Sequence, residues 1–137
     1  MPLEYNIDSE KRIVNVRTYG VLKDSELFDY LWEVGSRLEF NSYDQIIDMT
    51  EVTDVEYTSA ERIKELASVA ASMDTSENVS KLAIVAPQSL LFGLGRMYQS
   101  FREFSKGSKR DIKVFRSLQE ALDWLASGVS RLSKNSG

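Results

Sequence analysis

Eleven carboxylates lie between Asp24 and Glu61, with Arg37 the lone base among them. The densest part of that run is DMTEVTDVEYTS, residues 48–59. Asp48, Glu51, Asp54 and Glu56 offer the hard oxygen ligands that Mg2+ or Ca2+ prefer, so metal-assisted catalysis is one chemistry the segment brings to mind. Their spacing fits no defensible ligand loop, because an EF-hand needs a central glycine and a bidentate acid at fixed offsets. A solvated acidic loop made of Asp48, Thr50, Glu51, Asp54 and Tyr57 is the plainer reading: a binding loop, with no metal and no cofactor expected.

The chain has no histidine and no cysteine. Ser-His-Asp and Cys-His catalysis are therefore excluded, as are thiolate metal sites and a disulfide framework. Thr58 with Glu61 reads as a capping box for a following helix, which stabilises it by about 0.5–2 kcal/mol. FGLGR, residues 92–96, contains a GxG, but it lies inside a helical apolar pattern instead of between a strand and a helix, so a dinucleotide site fails on context. Close helix-to-sheet packing accounts for Gly93 and Gly95. Arg96 is a candidate anion contact, with a salt bridge to the acidic loop as the plainer role. Leu90, Leu91, Leu94, Met97, Tyr98 and Phe101 form a stripe wider than a core seam, which fits core packing with a dimer contact or the wall of an apolar pocket. Trp32 and Trp124 read as core or interface anchors.

The elements that must position these residues are legible from periodicity. Leu3, Tyr5 and Ile7 alternate with polar residues, a DSEK turn follows, and Ile13 to Tyr19 is β-branched, which predicts an antiparallel hairpin. Gly20 punctuates. Asp24 or Ser25 can cap a helix carrying Leu27, Phe28, Leu31, Trp32, Gly35 and Leu38. Gln45 to Met49 reads as a short strand and Ser59 to Met73 as a second helix. LAIVA, residues 82–86, is an unbroken apolar run, the pattern of a central strand covered on both faces. A third helix starts at Ser89, a last strand spans Ile112 to Phe115, and Ser117 with Glu120 is a capping box for a fourth helix. The order is ββαβαβαβα, an α/β fold with a mixed five-stranded sheet and four helices. Residues 1–127 are expected to form one domain and 128–137 a frayed tail.

Length and charge set the remaining bounds. A chain of 137 residues can bury a core without disulfides or metal. Net charge is −4 at pH 7, yet residues 96–116 carry seven bases against Glu103 and Asp111. No apolar run is long enough to span a bilayer and the first residues lack a signal-peptide pattern, so the cytoplasm is the expected compartment. Nucleic acid is not an expected partner, because the chain is acidic and lacks a binding motif.

DMTEVTDVEYTSAERI resembles the strand, loop and helix start of STAS domains, the SpoIIAA-like anti-sigma-factor-antagonist fold. Asp48 and Met49 fill the first part of its motif, and Tyr57, Thr58, Ser59 and Ala60 fall on the second. KLAIVAP, FGLGRMYQSF and IKVFRSLQEALDWL resemble later blocks of a SpoIIAA-like branch similar to lipid-binding CRAL-TRIO domains. The resemblance implies a candidate phosphoacceptor at Thr58 or Ser59 and a protein partner, a kinase or another regulator. Thr58 stands where the motif has Asp, and Ala60 where it has Gly. A phosphate here would gain from the helix N-terminus and be repelled by Asp54, Glu56 and Glu61. The reading is a non-catalytic regulatory or binding module acting through protein or small-ligand contacts, with a homodimer as one assembly. The alternatives are a carrier of a lipid or other apolar ligand and a metal-assisted enzyme built on the acidic loop.

Overall fold

The order β1 (Leu3–Asp8), β2 (Ile13–Leu22), α1 (Asp24–Tyr30), β3 (Asp44–Val55), α2 (Ala60–Ser72), β4 (Ser80–Val85), α3 (Ser89–Phe104), β5 (Arg110–Phe115) and α4 (Leu118–Ala126) matches the one expected from periodicity. It is seen in a computed structural model that describes residues 3–40, 42–56, 58–74, 80–105 and 110–127. The expected tail, 128–137, lies outside the described residues. The strands form one sheet in the spatial order β1-β2-β3-β4-β5. β1 and β2 pair antiparallel through the predicted hairpin, and every later pairing is parallel.

That order dictates where the helices go. Each crossover from β2 onward adds its strand on the same side of the last, and parallel crossovers are right-handed. α1, α2 and α3 must then share one face of the sheet, while α4, which follows the last strand, is free to cover the other. Val14, Val16, Ile47, Leu82, Ile84 and Ile112 pack on the three-helix face. Ile46, Ala83, Val85 and Phe115 pack with Ala121 and Trp124 on the α4 face. β4 is buried along its whole length, as an apolar run between two helix layers should be. Among the described residues no helix is long and apolar enough to cross a membrane.

Three expectations are corrected. β3 continues to Val55, so residues 50–55 of the expected acidic loop are strand. Only Gln45–Asp48 pair with β4, whereas β2 follows β3 to its end. Along that pairing β3 holds two extra residues, with register shifts between Arg17 and Tyr19 and between Gly20 and Val21 of β2. Gly20 therefore does not end β2: it sits inside the strand at φ +69°, a left-handed conformation that glycine adopts without steric cost. Third, the residue at the N-cap of α1 is Lys23, which makes no side-chain cap, in place of a cap from Asp24 or Ser25. It runs into a π-type turn, Leu31–Gly35, whose extra residue per turn shifts the face presented to the sheet. Tyr30 and Val34 are buried there, and Trp32, an expected core or interface anchor, is 60% exposed.

The two glycines of α3 differ in surroundings. A Cβ on Gly95 would lie 3.2 Å from Val114 Cγ1 and 3.3 Å from Cγ2, the close helix-to-sheet approach expected of it. Gly93 would meet nothing within 4 Å, so packing does not explain it. Gly93→Ala should raise unfolding stability by about 0.8–1 kcal/mol, the helix-propensity difference. In urea titrations Gly95→Ala should show no such gain, because the added methyl presses on β5.

Candidate functional site

The three-helix layer does not close fully on the sheet. A cavity of about 100 Å3 remains, walled by Leu27 and Leu31, by Ile63, Leu66 and Ala70 of α2, by Leu91 and Leu94 of α3, and by β3 and β4 beneath. Its middle is apolar, and each end carries a polar cluster.

At one end, near the carboxyl ends of β2 and β3, Asp24 ties α1 to α2. Thr58 Oγ1 donates to Asp24 Oδ2 at 2.9 Å, and Arg62 Nε donates to the same oxygen at 3.2 Å. The Arg62 guanidinium lies 4.4 Å from the centre of the Phe28 ring, close enough for cation–π attraction. Burial pushes the Asp24 carboxyl up, but the hydrogen bonds from Arg62 and Thr58 outweigh it and hold the group below its ordinary value.

The opposite end, at the amino ends of β3 and β5, is more deeply buried. Asp74, just past α2, meets Arg102 of α3, whose Nη2 donates to Asp74 Oδ2 at 2.6 Å. Arg102 is 2% exposed. Arg110 of β5 approaches the same carboxylate, Nε to Oδ1, at 3.9 Å. Its Nη1 donates to Tyr43 O at 2.9 Å and to Ser80 Oγ at 2.7 Å. Arg102 Nη1 donates to Tyr98 Oη at 2.9 Å. The carboxyl ends of α2 and α3 face this corner, and helix termini of that polarity favour cations. Burial opposes the charge on Arg102, yet Tyr98 and Asp74 outweigh it and raise its affinity for the proton. For Arg110 burial prevails: it is lowered, with Asp74 opposing and Arg102 adding to the effect. Tyr30, 4% exposed, also walls this part of the cavity, and its hydroxyl makes no hydrogen bond among the described residues. Burial pushes its phenol up, so it stays protonated.

The whole arrangement is similar to the crystal structure of an uncharacterized protein of the DUF3478 family from Shewanella loihica PV-4, which has a SpoIIAA-like fold, at a TM-score of 0.55. This chain has a SpoIIAA-like fold. The similarity covers 90% of this chain and 93% of that one at 19% sequence identity, and it concerns the fold alone. No protein-family model matches the sequence, and no curated protein matches it.

Within the SpoIIAA-like fold the expected site residues scatter into several jobs. Asp48 and Thr50 serve the extra residues of β3: Asp48 Oδ1 accepts from Thr50 N at 2.9 Å, and Thr18 Oγ1 donates to Asp48 O at 3.2 Å. Glu51 is paired with Arg17, and Asp54 Oδ1 accepts from Val55 N at 2.8 Å. Among the described residues no three acidic side chains gather as a metal site. Tyr57 lies outside the described residues. Ser59, not Thr58, caps α2, its Oγ accepting from Arg62 N at 3.2 Å. The capping box expected of Thr58 and Glu61 does not form, because the Thr58 hydroxyl is turned to Asp24. Arg96 is exposed and makes no ion pair with the acidic segment among the described residues. Of the α3 stripe, Leu91, Leu94 and Tyr98 wall the cavity, Met97 and Phe101 are half-buried, and Leu90 is exposed.

Sequence reasoning missed Asp24, Tyr30, Asp74, Arg102 and Arg110 as a set. One signal was available: Arg102 follows Leu91, Gly95 and Tyr98 at helical spacing, a cation on the buried face of α3.

Two outcomes follow from these clusters. A carboxyl held below its unfolded value contributes stability that is present above the unfolded pKa, about 3.9, and is lost as pH falls through the folded one. Asp24→Asn should therefore unfold about 1 kcal/mol more easily than the parent at pH 7, and the gap should close near pH 2 in urea titrations. Asp74→Ala strands buried guanidinium charge and should cost about 3–5 kcal/mol in the same assay.

Proposed function

We propose that this chain is a non-catalytic binding module whose ligand is a small apolar molecule seated between the sheet and α1–α3. The cavity is the observation that supports it. Close-packed interiors leave few voids larger than a water molecule. The space of about 100 Å3 is lined mainly by apolar side chains. An apolar occupant would gain contacts with that wall and leave water. Its size is bounded as well: the space is smaller than the engineered cavity of about 150 Å3 that holds benzene, so a body no larger than benzene is the limit.

This reading favours the small-ligand branch of the function expected from sequence, with a body shorter than a membrane lipid. The polar clusters at the two ends fix α1 against α2 and α2 against α3 and β5, so the space is framed by rigid contacts. Regulation through a protein partner remains compatible with it, because Thr58 and Ser59 stand at the rim beside Asp24, where a docked protein would sense whether the space beneath is filled.

The test is methyl NMR with benzene and the smaller butan-1-ol as probes. Resonances of Ile47, Leu91 and Leu94 should shift saturably at millimolar probe, and Ala70→Leu, which fills the cavity, should abolish the shifts while leaving thermal stability equal or higher. Shifts confined to surface methyls, or unchanged by Ala70→Leu, would refute the proposal.

A further inference from the structure

The face of the sheet opposite the cavity is only half covered. There α4 packs on β3, β4 and β5, and among the described residues no helix lies over β1 and β2. What remains is a groove of about 610 Å3 that shares no lining residue with the cavity. Side chains alternate along a strand, so the pleat that sends Tyr5, Val14 and Val16 to the three-helix face turns Asn6, Asn15 and Arg17 into this groove. Asn6 stands directly across from Asn15, and Glu4 across from Arg17. The wall of the groove is one flank of α4, where Leu118 and Leu122, a turn apart, are 40% and 44% exposed. Ala121, Trp124 and Leu125 already seat the helix on its strands, so these two leucines exceed what that seat requires.

We infer that the groove takes α4 of a second copy of this chain, so that two molecules stack sheet over sheet with their α4 helices side by side between them. The size fits, because two strands about 4.8 Å apart leave a lane roughly 10 Å wide, the diameter of one helix. Symmetry then fixes the pairing. A two-fold axis perpendicular to the sheet drives one sheet into the other, and one that crosses the strands within the helix layer sets α4 on α4. An axis running along α4 instead carries each helix into the other's groove. The two helices are then parallel, with Leu118 against its own counterpart and Leu122 against its own. The polar side matches too. Gln119 and Asp123 point away from the sheet that α4 covers, and in the stack they face β1 and β2 of the other copy. Asp123 Oδ1 accepts from Gln119 Nε2 at 2.9 Å, and the carboxylate keeps lone pairs for the amides of Asn6 and Asn15 below it. Glu4 on that floor is already paired with Arg17. A helix from any other protein would need the same leucine seam and acidic face, and this chain carries both.

The experiment is sedimentation velocity of the full chain at pH 7 from micromolar to millimolar concentration, joined to cysteine cross-linking. The parent should reach the mass of a dimer, and Leu122→Glu should weaken that dimer about tenfold or more, with an unchanged far-ultraviolet circular dichroism spectrum. The chain has no cysteine of its own, so single introduced thiols report the geometry. Under mild oxidation Leu122→Cys should join two copies far faster than Trp32→Cys, whose parent residue is 60% exposed on the three-helix side. Asp123→Cys, which faces the other copy's strands, should be as slow as Trp32→Cys. A chain that stays monomeric at millimolar concentration would overturn the inference and leave the groove to another protein's helix. A dimer indifferent to Leu122→Glu, or equal cross-linking at Leu122 and Trp32, would overturn it as well. None of these results bears on the cavity, which lies on the other face.

Discussion

Three right-handed crossovers taken in the same direction load one face of the sheet with α1, α2 and α3 and leave the other to α4. A single helix can settle closely over the middle of a twisted sheet, as Ala121 and Trp124 do against Ala83 and Phe115. Three helices must also pack against one another, and the positions that satisfy those contacts need not be those that press every side chain onto the strands. Gly95 brings α3 hard against β5, and the shortfall remains between all three helices and the middle strands, with Gly95 itself on its wall. The cavity is thus a consequence of strand order, expressed through the particular side chains that line it.

Two polar clusters turn that shortfall into a defined chamber. Asp24 is held by the hydroxyl of Thr58 and the guanidinium of Arg62, and Arg62 itself covers Phe28. At the other end Asp74 draws Arg102 and Arg110 into one buried group, joining α2, α3 and β5. Collapse of the helices onto the strands would break these contacts. Buried ion pairs return little net stability, but they fix register strongly, since a lone buried charge is costly. Here the register they fix is the spacing between layers.

Much of the fold was legible before any coordinates because local signals agreed. LAIVA is apolar without interruption, as a strand covered on both faces must be, and Ser117 with Glu120 marks the start of α4 as observed. The error over β3 has a clear origin. The acids of TEVTDV argue for a loop, while Thr50, Val52, Thr53 and Val55 argue for a strand, and pairing with β2 decided the matter. The candidate site was hardly legible at all. Its charged residues come from α1, the end of α2, α3 and β5, so Asp74 and Arg102 meet across 28 residues with no motif to announce them. Thr58 and Ser59 were found by their place before a helix, but which one caps was settled by Asp24, 34 residues away.

The overhang of β3 leaves part of the sheet with an open margin. From Thr50 onward that strand is hydrogen-bonded to β2 on one side, and among the described residues no strand pairs with its other side. A bare margin of this kind is a template on which a neighbouring molecule's strand can dock and polymerise. The two extra residues interrupt the regular ladder of that strand, Gln88 Nε2 donates to the carbonyl of Val52 at 2.8 Å, and Asp54 sets a carboxylate along it, features that disfavour such docking. The acids that first look like a cation trap thus lie along the open margin of a strand.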